Sequence, residues 1–354
     1  MKLFTLGPVE MFPYTLECSA EQVPYFRTAE FSEVVLECEA LLKQFAHARD
    51  EDKVVFLTSS GTGAMEATVM NCLTTQDHVL VIDGGSFGHR FVQLCELHQI
   101  PHEVIHLEHG EALSAEHLEA YRDTDLTALL VNIDETSTCQ LYPIDMLSAF
   151  CKSKGMLLIV DAISSFLIDP LDFTASGVDA LILSSQKAFA LAPGLSMVLL
   201  SERMYEERVS KIKSPSMYFD FMDHLVNGKR GQTPFTPAVG VILQLNQRLR
   251  AIREIGLETL LDHAAELARD FRARVTELPV ELADYPLSNA CTPIIFKDGN
   301  AVEVFETLKN EYGLFVTPTG GPLHDTVLRV GHMGNLTIED NTLLIDTLRK
   351  VLCG

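Results

Sequence analysis

Basic residues are scarce in this chain: Lys and Arg number 27 against 49 Asp and Glu in 354 residues, a formal net charge of −22. So acidic a surface repels polyanions, so neither nucleic acid nor an anionic membrane is an expected partner, although a focal basic site inside it remains compatible. No apolar run approaches the length that spans a bilayer. The eight cysteines, at 18, 38, 72, 95, 139, 151, 291 and 353, include no CxxC pair and no regular framework. Scattered thiols of this kind read as reduced side chains of a cytoplasmic protein, not as a disulfide scaffold. The stretch MKLFTLGPVEMF is broken by Gly7, Pro8 and Glu10, unlike a secretory leader. Low-complexity tracts are missing too. What is present is a 47% hydrophobic composition, enough for one large domain with a substantial core and a smaller second one.

From about residue 54 to about 200, short apolar runs alternate with helical patterns, the signature of a parallel α/β sheet. Strands are predicted at Val54–Leu57, His78–Ile82, Glu103–Leu107, Ala128–Asn132, Met156–Val160, Ala180–Leu183 and Met197–Leu200. Helices are predicted at Ala64–Leu73, His89–His98, Ala115–Arg122, Met146–Lys154, Val239–Ile255 and Leu257–Glu277, followed by an α+β tail. The expected division is 1–250 for the large domain and 251–354 for the small one. In a doubly wound sheet ligands sit at the carboxyl ends of the strands, where the unusual residues of this chain cluster.

Lys187 is the first of these. It follows the run Ala180–Leu183 and is flanked by Ala188, Phe189, Ala190 and Leu191 before a Pro-Gly turn. Desolvation there lowers an amine's pKa and favours a nucleophile able to form a Schiff base; a lysine snorkelling from a loop is the plainer alternative. Asp161 ends the apolar run Leu157–Val160 with no basic neighbour in sequence, so it needs a partner supplied by the fold or by a ligand, unless it caps the next turn. The turn around Ser60, Gly61 and Thr62 opens a helix, and its N–H groups suit a phosphate as well as ordinary capping. Phe87, set between glycines, suits stacking on a flat ring or plugging a satellite core. Thr136, in a polar stretch after Asn132, can donate to a phenolate oxygen or simply belong to a turn.

Taken in order, LGPVE (6–10), SSGTGAME (59–66), GGSFGHR (84–90), DETST (134–138), VDAISS (160–165), SSQKAFALAPG (184–194), TPFTPAV (233–239) and LRVGHMG (328–334) resemble the class V aminotransferases. That group contains alanine–glyoxylate, serine–pyruvate and 2-aminoethylphosphonate–pyruvate transaminases. The likeness runs nearly end to end. It implies the fold of the type I pyridoxal-phosphate enzymes: a large domain around a mostly parallel seven-stranded sheet and a smaller C-terminal α+β domain. It also implies pyridoxal 5'-phosphate as cofactor and ping-pong transfer of an amino group from a small amino acid or aminophosphonate to a 2-oxo acid such as pyruvate or glyoxylate.

Residue by residue, the resemblance makes Lys187 the cofactor's Schiff-base partner and proton shuttle, and Asp161 the partner of the pyridinium nitrogen. Phe87 takes the stacking position, Thr136 lies by the phenolic oxygen, and Ser60, Gly61, Thr62 and Gln186 form the phosphate cup. Thr233 and Thr236 fall where a partner subunit reaches the phosphate, which implies a homodimer with shared sites; some relatives carry a tyrosine where Thr233 stands. Arg329 matches the receiver of the substrate carboxylate, and Gly7 lies in the segment at the substrate entrance. Arg27 falls near the shared cleft, where it reads a second anionic group or forms a surface salt bridge.

A lyase of the cysteine desulfurase type is the weaker expectation, because the stacking position is Phe87 and the pair before the turn is Gln186-Lys187, with Cys291 the only cysteine in the required interval. A non-catalytic protein of this fold would be expected to have lost Lys187, Asp161 or Arg329, and all three are present. His102, His106 and His109 lack an acidic or thiol partner at ligand spacing, so no metal is expected.

Overall fold

Seven strands form the central sheet of the computed structural model, which describes residues 1–354. They are β1 (Lys53–Leu57), β2 (Val79–Asp83), β3 (His102–His106), β4 (Ala128–Asn132), β5 (Leu157–Asp161), β6 (Ala180–Ser184) and β7 (Ser196–Leu200). Their spatial order is β1-β7-β6-β5-β4-β2-β3. Only β7 is reversed, pairing antiparallel with β1 and β6, while the remaining pairings are parallel. The sheet is therefore mostly parallel, as expected, and its strands read as unbroken apolar runs because both faces are covered. Alternation divides each strand between two cores: Leu80 and Ile82 of β2 join one cluster, Val79 and Val81 the other.

Register decides where the polar residues emerge. In the β4–β5 pairing Asn132 lies opposite Asp161, so the polar residues after both strands come out at one edge of the sheet. Helix α1 (Ala29–Phe45), which the hydrophobic pattern did not predict, is capped by Thr28, whose hydroxyl accepts from the Phe31 N–H. Helices α2 (Gly61–Cys72) and α3 (Gly88–Leu97) begin directly in the loops after β1 and β2, aiming their N-termini at that same edge. Helix α4 (Ile144–Lys154) precedes β5.

Helices α5 (Val239–Ile255) and α6 (Leu257–Val275) meet at Gly256, whose φ of 88° breaks the helical path. On either side the buried faces go to different cores: Ile242, Leu245, Leu249 and Ile252 to that of the large sheet, Leu267, Phe271 and Val275 to a third cluster. The boundary expected at 250 falls inside α5, ahead of Gly256. Beyond it, β8 (Cys291–Ile295), β9 (Thr317–Pro318) and β10 (Val327–Gly331) form an antiparallel sheet in the order β8-β10-β9, covered by α6, α7 (Ala301–Tyr312) and α8 (Ile338–Cys353). The first residues of the chain also belong here. Lys2 and Leu3 pair in parallel with Leu314 and Phe315, and Phe4 lies in the third core.

Candidate active site

The loops after β1, β2, β4, β5 and β6 converge on a cavity of about 240 Å³. It brings together Gly7, Ser60, Gly61, Thr62, Phe87, Thr136, Asp161, Gln186 and Lys187 of the residues singled out by sequence. It is also lined by five that were not: Met65, Arg90, Asp134, Ile163 and Ser164.

One end of the cavity is the start of α2. Ser60 is its N-cap and accepts from the Gly63 N–H at 3.4 Å, so the capping reading holds and leaves the first-turn N–H groups facing the cavity. A Cβ at Gly61 would stand 2.3 Å from Ile163 Cδ1, so the Ile163 side chain would have to move to admit one. Arg90 donates to the Thr62 hydroxyl at 2.8 Å while its guanidinium lies 4.6 Å from the centre of the Phe87 ring. Gln186 receives the Ser184 hydroxyl at 2.5 Å on its carbonyl oxygen, which leaves its amide N–H groups free.

Behind this end stands Glu135, fully buried. Its carboxylate accepts from the N–H groups of Gly88 (2.8 Å), Phe87 (3.2 Å) and Ser137 (3.0 Å), from the Ser137 hydroxyl (2.5 Å) and from the Asn132 amide (2.9 Å). The loop that carries Phe87 is fixed by these bonds.

The floor is different. Lys187 is half-buried, and desolvation holds its amine below the usual lysine range, with Asp134 first among the nearby groups opposing that shift. Its Nζ donates to the carbonyl of Leu6 and lies 6.0 Å from the Phe87 ring centre. Gly7, at φ 127°, packs so closely that a Cβ there would sit 2.7 Å from Lys187 Cδ. Asp161 ends β5, and one of its oxygens accepts from the Ile163 N–H at 2.9 Å. Burial pushes its carboxyl up to about 7. Asp134, two residues beyond β4, is pushed up to about 8 by burial and by Asp169 and Glu135, against the nearby Ser164 hydroxyl, which donates to the Asp134 main-chain carbonyl at 3.4 Å and leaves both carboxylate oxygens without a hydrogen-bond partner.

Arg329 reaches toward this floor from β10. Its terminal nitrogens donate to the carbonyls of Thr136 (2.7 Å) and Pro318 (2.8 Å), and its buried Nε is unpartnered. It stands beside the cavity, not on its wall.

The remaining predicted residues lie elsewhere. Thr233 donates to the Phe235 carbonyl at 2.6 Å and Thr236 is exposed, neither of them on the cavity wall. Arg27, expected near a substrate anion or in a surface salt bridge, lies off the cavity wall and pairs with no carboxylate of its own chain. It donates instead to Gln232 Oε1 (3.1 Å) and to the carbonyls of Thr233 (2.8 Å) and Pro234 (3.1 Å), tying the start of α1 to that segment. Cys291 is fully buried on β8, its thiol pushed up by desolvation. No group of three His, Cys, Asp or Glu side chains is arranged to hold a metal ion, and no helix is long and apolar enough to cross a membrane.

The residues missed were within reach of the sequence. Asp134 follows the run Ala128–Ile133 after a single polar residue, as odd a place for a charge as that of Asp161, and Arg90 sits three residues after Phe87 on the first turn of a helix.

A cavity at the carboxyl edge of a mostly parallel sheet, with a desolvated lysine, a buried carboxyl and an anion-ready helix end, defines the class of protein, and comparison with known proteins agrees. Residues 19–324 match the family described as Aminotransferase class-V. The chain belongs to this family of pyridoxal-phosphate-dependent aminotransferases of fold type I. It is 30% identical to an L-aspartate–glyoxylate aminotransferase of Paracoccus denitrificans over 80% of this chain and 74% of that one. A protein of Anabaena cylindrica named as the 42 kDa subunit of a soluble hydrogenase is 29% identical over 99% of this chain and 93% of its own length. Among solved structures, an aspartate aminotransferase of subgroup IV from Thermus thermophilus superposes with a TM-score of 0.92 at 29% identity, covering 99% of both chains.

Proposed function

We propose that this enzyme moves the amino group of a small amino acid to a 2-oxo acid such as pyruvate or glyoxylate, in two half-reactions that use the same cavity in turn. The observation that carries the reading is the meeting of Lys187, Asp161 and Phe87 with the start of α2 in one 240 Å³ space. Pyridoxal phosphate, when bound, supplies an aldehyde for amine exchange and a ring that draws electrons from the adjoining carbon. The residues fit it. Asp161, raised to about 7 when alone, is the group that a cationic ring nitrogen would hold ionised. The N–H groups of α2 with Ser60, Gly61 and Thr62, the free amide of Gln186 and the nearby Arg90 suit a phosphate. Phe87 offers a flat apolar face that excludes water, and Thr136 a hydroxyl on the cavity wall.

Lys187 takes the acid–base role. Its desolvated amine accepts a proton at Nζ more weakly than a surface lysine and so also releases one, as a shuttle between two carbons requires. Arg329 has unspent N–H groups, the buried Nε among them, for the substrate carboxylate, and Gly7 keeps the entrance segment close to Lys187. Arg27, spent on the 232–234 segment, gives no support to an aminophosphonate donor. Two relatives are named for aspartate, which makes aspartate the first donor to test beside alanine and serine.

The active unit is a homodimer in this reading. Thr233 and Thr236 lie outside the cavity of their own chain, available to that of a second copy. Close by, Tyr218 stacks on Phe235 at 5.3 Å, and its neighbour Met217 is 77% exposed, an apolar patch suited to a subunit contact. All eight cysteines are unpaired, which suits the reducing cytoplasm. Desulfurase chemistry needs an exposed thiolate, and the setting of Cys291 supplies none.

The test is a donor and acceptor panel followed by absorbance, with Lys187→Ala as control. One donor should convert the visible band of the loaded enzyme, and pyruvate or glyoxylate should restore it. Release of sulfur from cysteine, with no amino-group transfer from any donor, would replace this reading by the lyase one.

A further inference from the structure

Lys187 must shed a proton to act as a nucleophile and regain one to act as an acid, and it does so where its amine is desolvated. Moving a net charge in or out of such a place is costly, so a proton acceptor within reach is favoured. Buried carboxyl groups cluster around this floor. Glu135 is saturated by the Phe87 and Gly88 N–H groups and by Ser137 and Asn132. Asp169 is engaged by the Ser288 hydroxyl (2.5 Å) and the Asn289 N–H (2.9 Å). Asp161 accepts from Ile163 and has its charge committed to the cofactor in the function proposed above. Asp134 lines the same cavity as Lys187, is 3% exposed, and is the only carboxyl in the protein with both oxygens buried and without a hydrogen-bond partner.

A buried polar group left unmatched is costly and calls for a partner that arrives during function. Asp134 is also first among the acidic groups acting on Lys187, ahead of Asp161. We propose that Asp134 is the proton partner of Lys187. Lys187-NH₃⁺ and Asp134-COO⁻ become Lys187-NH₂ and Asp134-COOH, directly or through one water, and return the same way, so the cavity's net charge stays constant. The groups facing this pair are Glu135 and Asp161 from the ends of the parallel strands, Asp169 from the loop after β5, and Cys291 and Arg329 from β8 and β10. The acidic members favour a proton on Asp134, and Arg329 disfavours one on Lys187. Asp134 acts through Lys187 and is a positioning residue for its proton.

This inference rests on Lys187 being the reacting amine, and the experiment separates the two. In cofactor-free protein, formaldehyde with cyanoborohydride labels the free amine of Lys187, read by peptide mass spectrometry from pH 6 to 10. Asp134→Asn should move the rising limb of the labelling profile to lower pH, to about tenfold more label at a pH on that limb, with Asp161→Asn moving it less. The melting temperature of Asp134→Asn relative to the parent should climb as pH rises from about 5 to 8, because over that range the folded parent holds on Asp134 a proton that the unfolded chain has released, and so loses stability as pH rises. Where Asp134→Asn does not fold, Asp134→Ser is read in its place. A labelling profile that superposes on the parent's, or a melting difference that is constant with pH, overturns the proposal. Failure to bind pyridoxal phosphate would sink the proposed function and leave this measurement readable.

Discussion

At the end of the cavity formed by the loops after β1, β2 and β6, the polar side chains are engaged: Ser60 caps a helix, Thr62 receives Arg90, Gln186 receives Ser184, and Glu135 accepts from five donors, two of them in the Phe87 loop. At the floor, Asp134 has no partner, Asp161 has one, and Arg329 keeps a buried Nε free. Asp134 and Glu135 are chain neighbours, both buried, and they mark the border between these regions. Burial of an acid therefore does not define its use. A saturated carboxylate is part of the frame; an unsatisfied one keeps its bonding capacity for ligand or proton.

The division between frame and floor is open to attack at its strongest point first. Lys187→Ala should remove amino transfer by about a thousandfold or more, since the base and the amine vanish together, with rates in single-turnover assays as the check. Glu135→Ala should destabilise the fold by roughly 3 kcal/mol or more, because several buried donors lose their acceptor at about 1 kcal/mol or above each. Urea unfolding of Glu135→Ala beside Asp134→Asn sets the two neighbours apart: above about pH 8 the second should equal or exceed the parent in stability. Arg329→Lys should raise KM for a carboxylate donor by about tenfold with less effect on kcat, because a point charge cannot replace a planar fork.

A smaller effect comes from pH. Asp161 and Asp134 are raised to about 7 and about 8, so the folded chain holds protons that the unfolded chain releases. Stability from these groups is present at acid pH and lost as pH climbs through those values. Melting of the cofactor-free protein should fall over that range, and loading with pyridoxal phosphate should flatten the upper part of the decline by ionising Asp161 against a cation.

Much of this was legible in the sequence. Helix α5 runs over the residues predicted for it, and the strand ends fall within a residue or so of expectation, because continuous apolar runs and turn residues bound them sharply. The cup, Phe87, Asp161 and Lys187 were found as oddities at strand ends and do meet in one cavity. What stayed hidden depends on long-range contact. That Lys2 and Leu3 pair with Leu314 and Phe315 leaves no local trace, and the carbonyls that occupy Arg27 lie more than 200 residues away. Asp134 was visible but hidden among polar neighbours. Only the structure separates it from Glu135, by giving one of them five donors and the other none.

The role of Lys187 in this cavity is put to the proof by the absorbance spectrum of the purified protein with pyridoxal phosphate, recorded beside Lys187→Ala and then during addition of aspartate, alanine or serine. A visible band that needs Lys187, is converted by one donor and returns with a 2-oxo acid is the expected result. A protein that forms no such band, or one whose band is unchanged in Lys187→Ala, would contradict it.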